Sequence, residues 1–180
     1  SGNPPYSGGW EFLVTSGNKL QFYWDYGANV RFITGTTNIT TGGWYHVAIV
    51  RNGSNWNLYL NGTSEASYSG SDNIDTTSQV LRIGAAPYNS RYLNGYMDEI
   101  RISNFARYTS DFTPSRTKFV KDNQTLLLIH GDQVNNSVTF TSDEVQSHLI
   151  APIGDVKHSN YANLGWGTSA ISFDGTGDYL

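Results

Sequence analysis

The stretch Gly43–Gly62, GWYHVAIVRNGSNWNLYLNG, constrains the fold more than any other part of the 180-residue chain. Between Trp44 and Arg51, Tyr45, Val47 and Ile49 fall on one side of a two-residue repeat, and Trp44, His46, Ala48 and Val50 on the other. Both sides are largely apolar, the pattern of a strand covered on two faces, so 44–51 is expected to be an inner strand. Asn52-Gly53-Ser54 offers residues that tolerate positive φ, and Trp56–Leu60 resumes the alternation. A second pair, Asn61-Gly62, returns the chain through Thr63–Tyr68, giving three strands joined by two tight turns. Such a meander needs a second layer to cover its apolar face.

Short alternating runs elsewhere can supply that layer. WEFLVT (10–15), KLQFYWD (19–25) and NVRFIT (29–34) precede the meander; VLRIG (80–84) and YMDEIRIS (96–103) follow it. Residues 104–114, NFARYTSDFTP, read as irregular chain with one helical turn. TLLLI (125–129) suits a strand buried on both faces, and SVTF (137–140), HLIAPIGDV (148–156) and AISFD (170–174) suit further strands, with Pro152 confining the second of these to an edge or a bulge. Charged residues make up only 14% of the chain and Gly numbers 19, so long helices with a charged surface have little material to form from. An all-β architecture follows.

The same composition excludes several function classes. A formal net charge of −4 and the lack of a basic stripe argue against nucleic acid. No apolar run approaches the ~20 residues that would insert in a membrane, and the first residues lack the basic and apolar regions of a signal peptide. With no cysteine there is neither disulfide nor thiolate metal site.

Taken in order, GWYHVAIVRNG, NLYLNG, LRIG, GYMDEIRIS and NFARYTSDFTP resemble the laminin-G-like or concanavalin-A-like jelly roll, in particular modules found as tandem copies in viral tail and bacterial surface proteins. The resemblance runs through Trp10–Pro114. TLLLIHGD and AISFDGTGDYL resemble the same family, but there they belong ahead of the hairpin. The chain thus reads as permuted, starting midway through one module and running into the opening of another. The resemblance implies a two-sheet antiparallel β-sandwich over 1–180, with 10–114 as its main part and 123–180 supplying the opening strands, either folded back within the chain or exchanged with a second copy. It also implies an extracellular or virion-surface setting.

Catalysis by paired carboxylates is not expected. Asp98 and Glu99 are neighbours within a strand, which sends their side chains to opposite faces, and no strand carries acidic residues two apart. They resemble the family's structural Asp-Glu pair, which ties loops together or pairs with a residue such as Arg101 or Arg82. The four histidines, His46, His130, His148 and His158, have no zinc-site spacing. The resemblance implies calcium at a loop rim, with Asp98, Asp174 and Asp178 as candidate ligands and Asp72, Asn73 and Asp75 as a second set; the competing reading is that these are turn residues satisfying their own backbone. Sugars require aromatic faces beside amides and charges. Tyr88, Asn89, Arg91, Tyr92 and Asn94 in one loop meet that need, as does Trp24 beside Asp25 and Tyr26, although Trp24 also continues the apolar face of Leu20 and Phe22. The expected function is a non-catalytic carbohydrate-binding module with a glycan as partner, gaining avidity by repetition; the alternative is a structural or adhesion repeat with no sugar ligand.

Overall fold

The computed structural model describes residues 9–75, 80–86, 91–140, 148–162 and 167–180. Among these the chain is all-β and every ladder is antiparallel; a 3-10 turn at Asn160–Ala162 is the one helical element. The chain divides into two compact units, one drawn from Ser1–Val80 and Ala106–Pro114, the other from Leu81–Phe105 and Ser115–Leu180.

The first unit is a two-layer sandwich. One layer is β1 (Trp10–Val14), β2 (Lys19–Tyr26) and β3 (Asn29–Asn38), and the other is the meander β4 (Val47–Asn52), β5 (Asn55–Leu60) and β6 (Thr63–Ser69). Both expected turns form: Asn52 faces Asn55 across Gly53-Ser54, and Asn61 and Gly62 take φ of 51° and 83°, the paired positive values of a type I′ turn. Leu20, Phe22, Trp24 and Ile33 of the first layer meet Trp56, Leu58 and Leu60 of the second in a common core.

The central strand of the meander is β5, not the 44–51 segment, which begins its ladder only at Val47 and is an edge. Its second apolar face has another cause. Residues 106–114 make no helical turn; they lie against the back of the meander, where Tyr108 and Phe112 stack at 3.6 Å and meet the Tyr59 and His46 rings in T-shaped contacts. The amide of Phe112 donates to the Gly62 carbonyl at 2.9 Å, and a Cβ at Gly62 would stand 1.9 Å from the Phe112 carbonyl oxygen. Only glycine permits that approach.

The two layers are also joined by Glu65. Its carboxylate accepts the amides of Thr36 and Thr37, each at 2.8 Å, and both threonine hydroxyls. Burial pushes this carboxyl up, but the threonine hydrogen bonds outweigh it and hold the group below its ordinary value. A group depressed in the folded state stabilises above its unfolded pKa, and that contribution disappears as pH falls through the folded value. Glu65→Gln is therefore expected to unfold at lower urea than the wild type at neutral pH, with the gap closing as pH falls below the ordinary glutamate value of about 4.3. A gap independent of pH would count against this role.

The second unit pairs strands from 94–103 with strands from the last third. β7 (Asn94–Met97) lies beside β8 (Ala170–Asp174), which also pairs with β9 (Lys157–Ser159); β10 (Ile100–Ser103) pairs with β11 (Thr125–Ile129). Leu127, Ile129, Val156, Ile171, Phe173 and Leu180 form its core. The expected strand 96–103 is thus two strands with different partners, broken at Asp98-Glu99, where Glu99 takes φ of 52°. Residues 80–84 form no strand, although Ile83 exchanges backbone hydrogen bonds with Leu180. Residues 137–140 form none either, and 148–156 contributes a single bridge, Ile153 to Tyr179.

Residues 115–121 cross the outer face of the β10–β11 ladder. Lys118 meets Asp132 at 2.6 Å, the Phe119 amide donates to Glu99, and the Arg101 guanidinium sits 4.0 Å from the centre of the Phe119 ring.

Candidate functional site

The loop singled out in the sequence is a hairpin leading into β7. Ala86 donates to the Arg91 carbonyl at 2.9 Å, Leu93 donates to the Gly84 carbonyl at 2.7 Å, and Ala85 bridges Tyr92. Tyr88 and Asn89 lie outside the described residues. Arg91 and Tyr92 are exposed.

From Tyr92 the two-residue alternation assigns the faces. Leu93 and Met97 turn to the core, which leaves Tyr92, Asn94 and Tyr96 on the outer face, with Tyr92 36% and Tyr96 39% exposed. Register extends this stripe sideways. Tyr96 lies opposite Ser172 and Ser172 opposite Lys157; Asn94 lies opposite Asp174. Cross-strand neighbours share a face, so two phenol rings stand among an amide, a hydroxyl, an ammonium and a carboxylate. In sequence Tyr96 reads only as strand; its position four residues after Tyr92 is the signal that places both on one face.

Asp174 also faces a turn. The Asp178 carboxylate, 1% exposed, accepts the Asp155 amide at 2.8 Å through Oδ1 and the Asp174 amide at 3.0 Å through Oδ2, while Asp174 accepts the Thr176 amide at 2.7 Å. Oxygens of Asp155, Asp174 and Asp178 lie within 4.8 Å of one another. All three are hard oxygen donors of the kind calcium takes; the Asp178 oxygens and one Asp174 oxygen also close backbone turns. Asp98 does not join them. Asn94 opposite Asp174 and Met97 opposite Ile171 set Asp98 and Asp174 at opposite ends of the β7–β8 ladder.

Asp98 is a loop tie. Its Oδ1 accepts the Glu99 amide at 2.8 Å and the Gly131 amide at 2.9 Å. Burial pushes this carboxyl up, helped by the charges of Glu99 and Asp132 and opposed by the two amides. Glu99 accepts His130 Nδ1–H at 2.6 Å. The opposite-face expectation fails here because the backbone turns left-handed at Glu99, so both carboxylates engage the same segment, 130–131. The Arg101 guanidinium lies over Phe119 and that of Arg82 over the Tyr179 ring.

Trp24 is core and not a contact surface. It is 0% exposed and stacks on Trp56 at 4.5 Å and 9°, because Leu20, Phe22 and Trp24 share the inward face of β2. The second calcium set is likewise engaged: Asp72 accepts from Arg31 and Tyr68, Asn73 accepts from Arg51, and Asp75 donates its amide to the Asp25 carbonyl.

The laminin-G-type family model described as the concanavalin A-like lectin/glucanases superfamily matches residues 1–111. That span takes in both layers of the first unit and, in the second, β7 and β10 with the hairpin before them. No curated protein and no solved structure matches the chain. The match covers well over half of the sequence, and the antiparallel all-β layers agree with it: the chain belongs to the concanavalin A-like lectin/glucanase superfamily.

Proposed function

We propose that the protein is a non-catalytic carbohydrate-binding module of a surface or virion adhesion protein, and that a glycan lies along Tyr92, Asn94 and Tyr96. The observation that carries this reading is the pair of partly exposed tyrosines flanking Asn94, with Ser172, Lys157 and Asp174 on the neighbouring strands. Extended chain rises about 3.3 Å per residue, so the rings stand roughly 13 Å apart, enough to contact more than one sugar. Aromatic rings supply stacking area, and the amide, hydroxyl and charged groups supply hydrogen bonds that orient the hydroxyls.

A non-catalytic role fits the carboxylates. Asp98, Glu99 and Asp178 each accept hydrogen bonds from the protein itself, which supports reading these three as structural groups and not as an acid and nucleophile.

Glycan-array binding by multimerised protein tests the proposal, because weak sites need avidity to register. Each of Tyr92→Ala and Tyr96→Ala is expected to weaken binding by about 3- to 10-fold, and the pair together by more, with melting unchanged. Binding that survives both substitutions would move the site elsewhere. If the wild type binds no glycan, the structural or adhesion repeat takes the place of the lectin reading.

A further inference from the structure

Glu99 and, some thirty residues on, His130 and Asp132 each bring one ligand atom within 4.8 Å of the others. The ladder between β10 and β11 explains the meeting. It ends on Ile100 opposite Ile129, so Glu99 and His130 flank its last pair, and Asp132 follows two residues on. One imidazole and two carboxylates form a mixed nitrogen and oxygen set, suited to zinc and its neighbours in the transition series and unlike the all-oxygen group at Asp155, Asp174 and Asp178.

A hydrogen bond and an ammonium hold these ligand atoms at present. His130 Nδ1–H donates to Glu99 Oε1 at 2.6 Å, with both side chains less than a tenth exposed. The Lys118 ammonium reaches Asp132 Oδ2 at 2.6 Å from a side chain that is 46% exposed. Asp98 adds a third carboxylate beside them, and the charges acting on it, those of Glu99 and Asp132, are both negative. The position therefore concentrates negative charge around one ring nitrogen.

We propose that Glu99, His130 and Asp132 bind a zinc-class divalent cation, which replaces the proton between His130 and Glu99 and displaces the Lys118 ammonium into solvent. The imidazole proton moves from Nδ1 to Nε2, freeing the Nδ1 lone pair for the metal, and water completes the tetrahedron. The histidines gave no hint of this in sequence because His130 has no second ligand at a spacing typical of zinc sites; the partners come from the strand break at Glu99 and from the chain beyond Gly131.

Calorimetry and thermal melting of the full chain with zinc chloride test the site. The wild type is expected to bind one equivalent and to melt higher with zinc than without. His130→Gln should weaken binding by at least about tenfold, the scale of loss seen even for groups one step removed from a metal. Lys118→Ala, which leaves the three ligands in place, should bind several-fold more tightly because the ammonium no longer competes for Asp132. Asp174→Asn should bind zinc as the wild type does. Absence of both heat and a melting shift in the wild type would overturn the proposal, as would zinc affinities unchanged in both His130→Gln and Lys118→Ala, or lost in Asp174→Asn.

Discussion

Replacing Trp24 with alanine is expected to lower stability by about 3–5 kcal/mol, the range for removing a large aromatic from a packed core. The ring touches the core on several sides: Trp56 at 4.5 Å, Phe22 at 5.7 Å and the edge of Tyr68 at 5.4 Å. Neither neighbouring strand can move in to fill the space without breaking its ladder, so the cavity term adds to the lost transfer energy. One term works the other way. The Trp24 indole N–H is buried with no hydrogen-bond partner among the described residues, and phenylalanine would remove that donor. Trp24→Phe is therefore expected to cost clearly less than Trp24→Ala. Urea denaturation followed by circular dichroism measures both; a loss below about 1 kcal/mol for the alanine variant would contradict a core role and return Trp24 to the surface.

Gly131→Ala is expected to cost about 3 kcal/mol, at the upper end for an overpacked site. A Cβ there would stand 2.6 Å from the Ala170 Cα and 2.9 Å from the Ser169 carbonyl oxygen, both backbone, so no side chain can swing aside. The same residue anchors three parts of its unit. Its amide donates to Asp98 at 2.9 Å; its carbonyl accepts His158 Nδ1–H at 2.9 Å and the Ser169 hydroxyl. Pushing β8 away would stretch all three together. Faster hydrogen exchange at the amides of β8 and β9, with β5 unaffected, is the expected signature; an alanine variant that melts with the wild type would show that the close approach has slack.

The meander was readable because local rules agree there: two Asn-Gly pairs tolerate the positive φ of tight turns, and the side chains between them alternate. Trp24 admitted two readings, and only its neighbours in space could choose between them. The break in YMDEIRIS does leave a trace: Met97 and then Ile100 and Ile102 pack against the core, so the two-residue alternation slips by one across Asp98 and Glu99, two acidic residues of low strand propensity. β9 was missed for another reason. Lys157, His158 and Ser159 look polar, yet His158 is buried through a hydrogen bond to Gly131, which distant chain supplies. At the candidate glycan face the first aromatic is legible and the second is not, because Tyr96 opens the run 96–103 and only the pairing of β7 with β8 shows that it continues the outer row that Tyr92 begins. The gathering of Asp155 with Asp174 and Asp178 likewise needed the closing turn of the chain.

The order in which the polypeptide visits its two bodies has a genetic corollary. It leaves the first after Val80, returns for Ala106–Pro114, and departs again. Neither body is encoded by an unbroken run of codons, so recombination or deletion that respects reading frame but ignores this weave separates β10 from β11 or β7 from β8. Duplication of the whole interval is the inheritable change that copies both intact.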